Sequence, residues 1–401
     1  MELISQHRTL PYLSGRFFDG ISSGLFMMAL SWLLLEPGDM GTFVAVLALV
    51  CTATSFVFTP FFATLIDRHS RKAILIWVQV LQSATAGLVM IAAMFNLDSH
   101  WLLGTSQLIF WVSSNLAWST NNAFTQENYD SHEYASISGK QEIVLQSTTL
   151  GAGALGVVLL KYWGMMEFAA FAASASAIAA VSYLVTPYRQ QLREQHTVRF
   201  ISQMLQSKAI FSAQPRFYTL ILLSCLSYPV LTFLSKLVPI WFAELGISGD
   251  WFAAYSILFG LGSLLTGALL SKLLALTSHR VTLVYSMAML AVVLIVIALV
   301  LSPLYLLLLT VLLGFFNALN RITRTNWLHH TVDVSQRGRV EGGLVLFSTS
   351  VQSLSYVIIA LLAHYGFTQY GFAIAALTVS AAAIMMYLLG HVSQLKQTIT
   401  T

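Results

Sequence analysis

Charged residues are scarce in this chain of 401 residues, at 9% of the total, and it holds only two cysteines. Soluble domains carry about 25% charged residues, so this scarcity excludes a soluble protein of this length. Two cysteines in separate apolar segments predict no disulfide framework. The sequence also lacks a phosphate-binding loop, a His-x-x-x-His spacing and a basic stripe. These absences leave enzymes, metal sites and nucleic-acid binding without support, and we expect no cofactor.

Apolar runs, in contrast, recur along the whole chain. Hydrophobic residues make up 57% of it, and the mean hydropathy is +0.75. A helix of about 20 apolar residues spans a bilayer, so the sequence predicts an all-α membrane protein with twelve transmembrane helices. The predicted spans are 11–35, 42–66, 73–95, 101–124, 142–160, 167–186, 216–242, 251–275, 281–301, 303–328, 341–363 and 367–390.

The basic residues predict the orientation of these spans. With the N-terminus inside, most lysines and arginines fall in or beside inner loops, and only Lys161 falls in an outer loop. The positive-inside rule therefore places both termini in the cytoplasm. The first span lacks a cleavable leader pattern, so we expect it to be a retained helix. We interpret the chain as a monomeric multi-pass membrane protein.

A polar stretch near the middle divides the spans into six and six. We expect a six-helix bundle at residues 1–188, a cytoplasmic loop at 189–214 and a second six-helix bundle at 215–401. GKQE at 139–142 and GRVE at 338–341 precede the fifth and eleventh spans, which indicates an internal duplication. Parallel repeats of this kind place a substrate site near the midplane between the two halves.

The loop after the second span, ATLIDRHSRK at 63–72, resembles the signature of the major facilitator superfamily. Its matching residues are Asp67, Arg68, Arg71 and Lys72, while Ala63 and Ser70 stand at its two glycine positions. Any inner loop is basic, but positive-inside bias does not supply the aspartate. The resemblance implies two pseudo-symmetric bundles, transport by alternating access, and a conformational latch at Asp67, Arg68 and Arg71 that holds the outward-facing state.

Two further phrases point to one branch of this superfamily. RFFDG at 16–20 and RGRVEG at 337–342 resemble the bacterial exporter branch that includes the enterobactin exporter and macrolide efflux proteins. This resemblance implies export across the inner membrane of a bacterium. Because no ATP-binding domain is present, we expect an ion gradient to drive it. Three glycines of the fifth span resemble an antiporter motif without its proline, and such spacing is also typical of helix packing.

Two opposite charges lie inside the first span, where polar groups are costly. Arg16 and Asp19 occupy one helical face at i, i+3. We expect Asp19 to face the cavity and exchange a proton, and the alternative is a structural ion pair that joins helices. Glu142 is the second candidate for proton coupling.

The superfamily's helices 1, 4, 7 and 10 line the cavity, and polar residues concentrate on these spans. Four bases against one clear acid predict an anionic substrate, since a guanidinium donates two parallel hydrogen bonds to a carboxylate. For Arg321, Arg324 and Lys236, snorkelling to the membrane interface is the alternative. Tyr228-Pro229 predicts a bend within the seventh span. The predicted substrate-binding residues are Arg16, Asn115, Trp118, Asn122, Tyr228, Lys236, Asn317, Arg321 and Arg324.

These predictions favour a proton-coupled exporter of a small anionic or amphiphilic metabolite, and a carboxylate siderophore is the most specific candidate. Its expected partners are the small-molecule substrate, protons and the lipid bilayer. A multidrug or macrolide efflux pump is the alternative, distinguished by its action on neutral and cationic drugs. A membrane receptor or scaffold would show no gradient-dependent flux.

Overall fold

A computed structural model describes residues 2–35, 41–97, 99–189, 207–247 and 249–399. Every regular element in these ranges is helical, as the all-α prediction requires. Short 3-10 turns at Ser131–Glu133 and Val334–Gln336 precede two of the helices. The helices are α1 (Glu2–Leu35), α2 (Gly41–Arg68), α3 (Arg71–Met94), α4 (His100–Asn128), α5 (Tyr134–Leu159), α6 (Met165–Val185), α7 (Ser207–Ala213), α8 (Pro215–Cys225), α9 (Ser227–Glu244), α10 (Gly249–Leu276), α11 (His279–Val300), α12 (Pro303–Thr331), α13 (Arg337–His364) and α14 (Tyr370–Ile399).

Nine stretches of the described residues are long and apolar enough to cross a membrane, by length and composition. The predicted spans without a counterpart among them are the first, fourth and fifth. These correspond to α1, α4 and α5, where charged and amide side chains lower the hydropathy. The total of twelve therefore stays a prediction. The predicted central loop at 189–214 lies mostly outside the described residues.

Helix ends follow local sequence. The Ser70 hydroxyl accepts a hydrogen bond from the Ala73 amide and so caps the start of α3. Its φ of −59° shows that the serine at this glycine position of the motif needs no left-handed conformation. Between α8 and α9 the helix is interrupted just before Pro229, at the predicted bend.

The chain divides into two compact units. Unit 1 comprises Met1–Ser131, Val144–Leu205 and Asp333–Gly342, and unit 2 comprises His132–Ile143, Gln206–Val332 and Gly343–Thr401. Each unit thus takes most of one sequence half and a short segment of the other. We call residues 132–143 and 333–342 the exchanged segments. They contain the GKQE and GRVE phrases.

Within unit 1, α6 packs against α1 and α3, and α2 and α3 pack against α4. Small residues allow a close approach of α1 to α5, because added Cβ atoms at Gly20 and Gly24 would meet Thr148 and Ala152. Within unit 2, α14 packs against α11, and α10 and α11 pack against α12. The pairs α3–α6, α2–α4 and α3–α4 of unit 1 thus correspond to α11–α14, α10–α12 and α11–α12 of unit 2. This correspondence is what a duplicated sequence predicts.

Candidate functional site

The two charges of the first span lie on α1 in unit 1, and both side chains are half-buried. The Arg16 guanidinium lies 5.8 Å from the centre of the Trp118 ring, a cation–π distance. Arg16 acts electrostatically on Asp19, yet the two form no ion pair in the described part of the chain. The neighbours of the Asp19 carboxyl also include Gln79 on α3 and Tyr183 on α6. Asp19 is therefore an acid without a fixed counter-ion.

The amides predicted on α4 make separate contacts. Asn115 is exposed, and its amide nitrogen donates to the Ser55 hydroxyl at 3.1 Å and to the Trp111 carbonyl at 2.9 Å. Asn122 donates to Glu341 Oε1 at 2.8 Å. Trp118, the third predicted residue on this helix, adjoins the Arg16 side chain. Asn122 instead binds an exchanged segment.

The predicted residues of α9 belong to unit 2. Tyr228 is half exposed, and it has Tyr356 and Arg321 as electrostatic neighbours. Lys236 is exposed and makes no ion pair with any described residue. Asn317 is half-buried on α12. Tyr228 and Arg321 are thus the two predicted residues that unit 2 brings together.

Arg321 forms an ion pair with Glu142, the second predicted proton acceptor. Its Nη2 atom lies 2.5 Å from Glu142 Oε2, and the two side chains are 19% and 2% exposed. The pair joins α12 to the exchanged segment 132–143. The Arg321 guanidinium is therefore mostly buried and has a carboxylate partner.

Arg324, one turn further along α12, is buried within unit 2. Its Nη1 atom donates to the Ser224 carbonyl at 2.9 Å and to Asn320 Oδ1 at 3.2 Å. Asn320 in turn donates to the Ser286 hydroxyl at 3.3 Å. The guanidinium thus belongs to a buried polar network that joins α8, α11 and α12.

Replacing Arg324 by glutamine is expected to lower the melting temperature of the purified protein. Buried acceptors on Ser224 and Asn320 would lose a charged donor, at about 1.5–3 kcal/mol for each hydrogen bond. Thermal scanning of intrinsic fluorescence in detergent measures this. An unchanged melting temperature combined with lost affinity for an anion would assign Arg324 to the substrate instead.

The predicted latch residue Asp67 is fully buried at the end of α2. Its Oδ1 atom accepts from the Gly338 amide at 2.6 Å, and its Oδ2 atom accepts from the Arg339 amide and Nε, both at 3.1 Å. The carboxylate thus caps the start of α13, where the helix dipole favours negative charge. Asp67 holds the exchanged segment 333–342 within unit 1.

The other predicted latch residues flank this contact. Arg71 is fully buried and donates to the carbonyls of Ala123 and Val334. Its Nε atom lies 3.6 Å from Glu127 Oε2. Arg68 is half-buried at the last position of α2. Arg71 therefore ties α4 and the exchanged segment to the start of α3.

Asp333 begins the exchanged segment outside the apolar stretches. The Ser335 hydroxyl and amide both donate to its carboxylate, and these hydrogen bonds hold the pKa of Asp333 below its usual range. The carboxylate also caps the 3-10 turn that precedes α13. This turn positions Gly338 and Arg339 over Asp67.

The glycines of the duplicated phrases allow close helix contact. A Cβ atom added at Gly338 would lie 2.3 Å from the Ala63 carbonyl oxygen on α2. In unit 2, one added at Gly139 would lie 2.5 Å from the Gly267 carbonyl oxygen on α10. Both distances are too short for a side chain, so each exchanged segment lies directly on a helix backbone. Ala63, at the other glycine position of the motif, faces Gly338.

The glutamates of the duplicated phrases also make matching contacts. Glu142 binds Arg321, and Glu341 binds Asn122. Arg321 and Asn122 are the same number of residues apart as the two glutamates, so they occupy equivalent positions of the repeat. In unit 1, Glu341 also forms an ion pair with Arg337, whose Nη2 atom lies 3.3 Å from Glu341 Oε2. The duplication thus preserves the contact but changes its charge.

Three residues of this arrangement were not predicted. Gln79 interrupts the apolar third span, and that position was a signal for a polar site. Glu341 lies in the GRVE phrase, whose duplication pointed to it. Tyr183 had no signal, because a tyrosine near the end of a span is typical of the membrane interface.

A family model described as Major Facilitator Superfamily matches residues 12–275 of the sequence. No curated protein matches the sequence significantly. The match covers more than half of the chain, and it includes the loop of Asp67 and the second to eighth predicted spans.

Several solved transporter structures share this fold. A bacterial homologue of the iron transporter ferroportin, in an outward-facing state, has a TM-score of 0.75 at 15% identity, covering 96% of this chain and 99% of its own. The human organic anion transporter MFSD10 has a TM-score of 0.75 at 13% identity, covering 95% and 99%. FucP, the fucose:proton symporter of E. coli, has a TM-score of 0.74 at 12% identity in its outward conformation, covering 94% and 97%.

Identities this low show a shared fold and no shared substrate. The family match, the helical fold and the apolar helices nevertheless agree with one another. They identify a multi-pass membrane transporter rather than an enzyme. The chain belongs to the major facilitator superfamily, whose members carry small molecules across the lipid bilayer.

Proposed function

We propose that the protein is a proton-coupled secondary exporter of a small organic anion. The observation that carries this proposal is that the Asp19 carboxyl is half-buried and has no ion-pair partner among the described residues. Glu142 and Asp67, in contrast, are held by an arginine and by several donors. A carboxyl group without an ion-pair partner can take up and release a proton as its surroundings change. Asp19 is therefore the coupling residue of the proposal.

The unit 2 residues support an anionic substrate. The Arg321 guanidinium already binds a carboxylate, so a substrate carboxylate can replace Glu142 on the same donors. Lys236 is exposed and supplies a second positive charge. Arg324 is not part of this proposal, because the chain itself uses its donors. The most specific candidate remains a carboxylate siderophore.

The exchanged segments support alternating access. In the proposed topology, the basic loop after α2 and both termini face the cytoplasm of a bacterium, and the protein acts as a monomer in the inner membrane. The contacts of Asp67 with 338–339 and of Glu142 with Arg321 then lie at the cytoplasmic end. We assign them to one state of the transport cycle, which must break them before the substrate enters from the cytoplasm.

The export proposal is tested by comparing small molecules in the culture medium of wild-type and deletion cells. We expect a carboxylate-bearing compound to disappear from the medium of the deletion strain and to accumulate inside its cells. The purified protein, reconstituted in liposomes, should then carry that compound in response to a pH gradient. Unchanged medium together with greater sensitivity to neutral and cationic drugs would favour the multidrug efflux alternative.

Replacing Arg321 by glutamine is expected to weaken binding of the identified anion about 10- to 100-fold, since a charged hydrogen bond contributes about 1.5–3 kcal/mol. The neutral ester of the same compound should bind with unchanged affinity. Arg324→Gln is the matched control, with the same substitution one turn away on α12, and its folded fraction should bind the anion normally. Equal anion affinity in wild type and Arg321→Gln would contradict the assignment.

A further inference from the structure

The segment that follows α6 is bound to the end of α4 within unit 1. Asn128 Nδ2 donates to the Pro187 carbonyl at 3.1 Å, and the Arg189 amide donates to Asn128 Oδ1 at 3.0 Å. Between these two contacts, the Tyr188 ring stacks on Phe124, with ring centres 5.5 Å apart and planes inclined by 11°. Tyr188 directly precedes the predicted central loop, and these contacts give it a defined place on α4.

The Tyr188 hydroxyl reaches a buried ion pair beside the latch. It donates to Glu127 Oε2 at 2.6 Å, the short distance typical of a hydrogen bond to a carboxylate. The same oxygen lies 3.6 Å from Arg71 Nε, and both side chains of this pair are 0% exposed. A contact of 3.6 Å is too long for a hydrogen bond, so it attracts the two side chains without fixing their geometry. The Tyr188 hydroxyl therefore orients the oxygen that Arg71 faces.

Arg71 extends these contacts to the exchanged segment 333–342. Its Nη2 atom donates to the Val334 carbonyl at 2.5 Å. Val334 begins the 3-10 turn before α13, and the amides of Gly338 and Arg339 beyond this turn donate to Asp67. A continuous set of contacts therefore leads from the segment after α6 to the latch.

We propose that Tyr188 is a positioning residue of the latch: its hydroxyl orients the Glu127 carboxylate, and this carboxylate orients Arg71. Arg71 in turn holds the exchanged segment 333–342 within unit 1. The inference rests on the proposed latch role of Asp67. A buried carboxylate that loses a charge-assisted donor is destabilised, and so is the contact that it supports. Without the Tyr188 hydroxyl, the segment should leave unit 1 more often.

Hydrogen–deuterium exchange of the full-length protein in liposomes tests this role without a substrate. Tyr188→Phe keeps the stacked ring and removes only the donor. It is expected to speed exchange of the amides at 333–342 about tenfold, the effect of losing one hydrogen bond to a charged group. Exchange at 160–164, between the opposite ends of α5 and α6, should stay unchanged. Tyr162→Phe, the same substitution at a tyrosine that is 80% exposed, is the matched control and should leave exchange at 333–342 as in wild type.

A double substitution separates positioning from a general loss of stability. Glu127→Gln should also speed exchange at 333–342, and adding Tyr188→Phe to it should cause no further increase, because the hydroxyl acts through that carboxylate. Wild-type exchange in Tyr188→Phe, or an additional increase in the double variant, would overturn the positioning role alone. Asp67→Asn should speed exchange at 333–342 as well. Wild-type exchange in Asp67→Asn would overturn the latch itself, and the role of Tyr188 with it.

Discussion

Replacing Asp19 by asparagine is expected to abolish transport driven by a pH gradient and to leave substrate exchange at equal pH largely intact. Asparagine has nearly the same shape, so it removes the titrating group without creating a cavity. The neighbouring Arg16 and Trp118 keep their contact, because it does not involve Asp19. The measurement is uptake and exchange of the identified anion in liposomes that contain the purified variant.

The control for Asp19→Asn is Asp250→Asn, which changes an exposed acid at the start of α10. It should transport like wild type. A pH-gradient dependence that persists in Asp19→Asn would contradict the assignment and would transfer coupling to Glu142. Loss of exchange as well as of gradient-driven uptake would instead place Asp19 in substrate binding.

Replacing Asp67 by asparagine is expected to lower the turnover rate at least tenfold with little change in substrate affinity. The carboxylate accepts three hydrogen bonds from Gly338 and Arg339 in a fully buried position. The amide nitrogen of asparagine would face the N–H donors of Gly338 and Arg339, which it cannot accept from. Each buried donor left without an acceptor destabilises this contact by about 1–3 kcal/mol. The state of the cycle that contains this contact should therefore lose population, while residues that bind substrate stay unchanged.

Two measurements separate this effect from misfolding. Binding of the anion to monodisperse Asp67→Asn should match wild type, whereas its exchange rate in liposomes should fall. Gly338→Val should produce the same slow exchange by a different route, since its side chain would meet the Ala63 carbonyl oxygen. Weak binding at a normal turnover rate would contradict the latch role.

The sequence pointed to Asp67 because its signal is local. Asp67 comes directly before a basic cluster at the end of an apolar span, and a buried carboxylate needs donors such as the start of another helix. The duplicated GKQE and GRVE phrases likewise pointed to the exchanged segments. Hydropathy identifies nine of the twelve predicted spans among the described residues. It does not identify α1, α4 and α5, because these helices carry the polar residues that a transport site needs.

The different roles of the two arginines of α12 could not be predicted from the sequence. Arg321 and Arg324 are three residues apart and belong to the same helical stretch, so spacing gives them the same role. Tertiary contacts separate them, since one binds Glu142 and the other binds Ser224 and Asn320. Partners from other helices decide the role of a buried charge, and periodicity along one helix does not reveal those partners. Tyr183 was missed for the same reason.

Accumulation of the identified anion in liposomes with an acidic lumen tests proton-coupled anion export most directly. Protons leaving such liposomes should drive the anion inward against its own gradient, and a protonophore should release it. The neutral ester should not accumulate. Wild-type protein that accumulates no anion under a pH gradient of either direction, yet exchanges it at equal pH, would contradict the account.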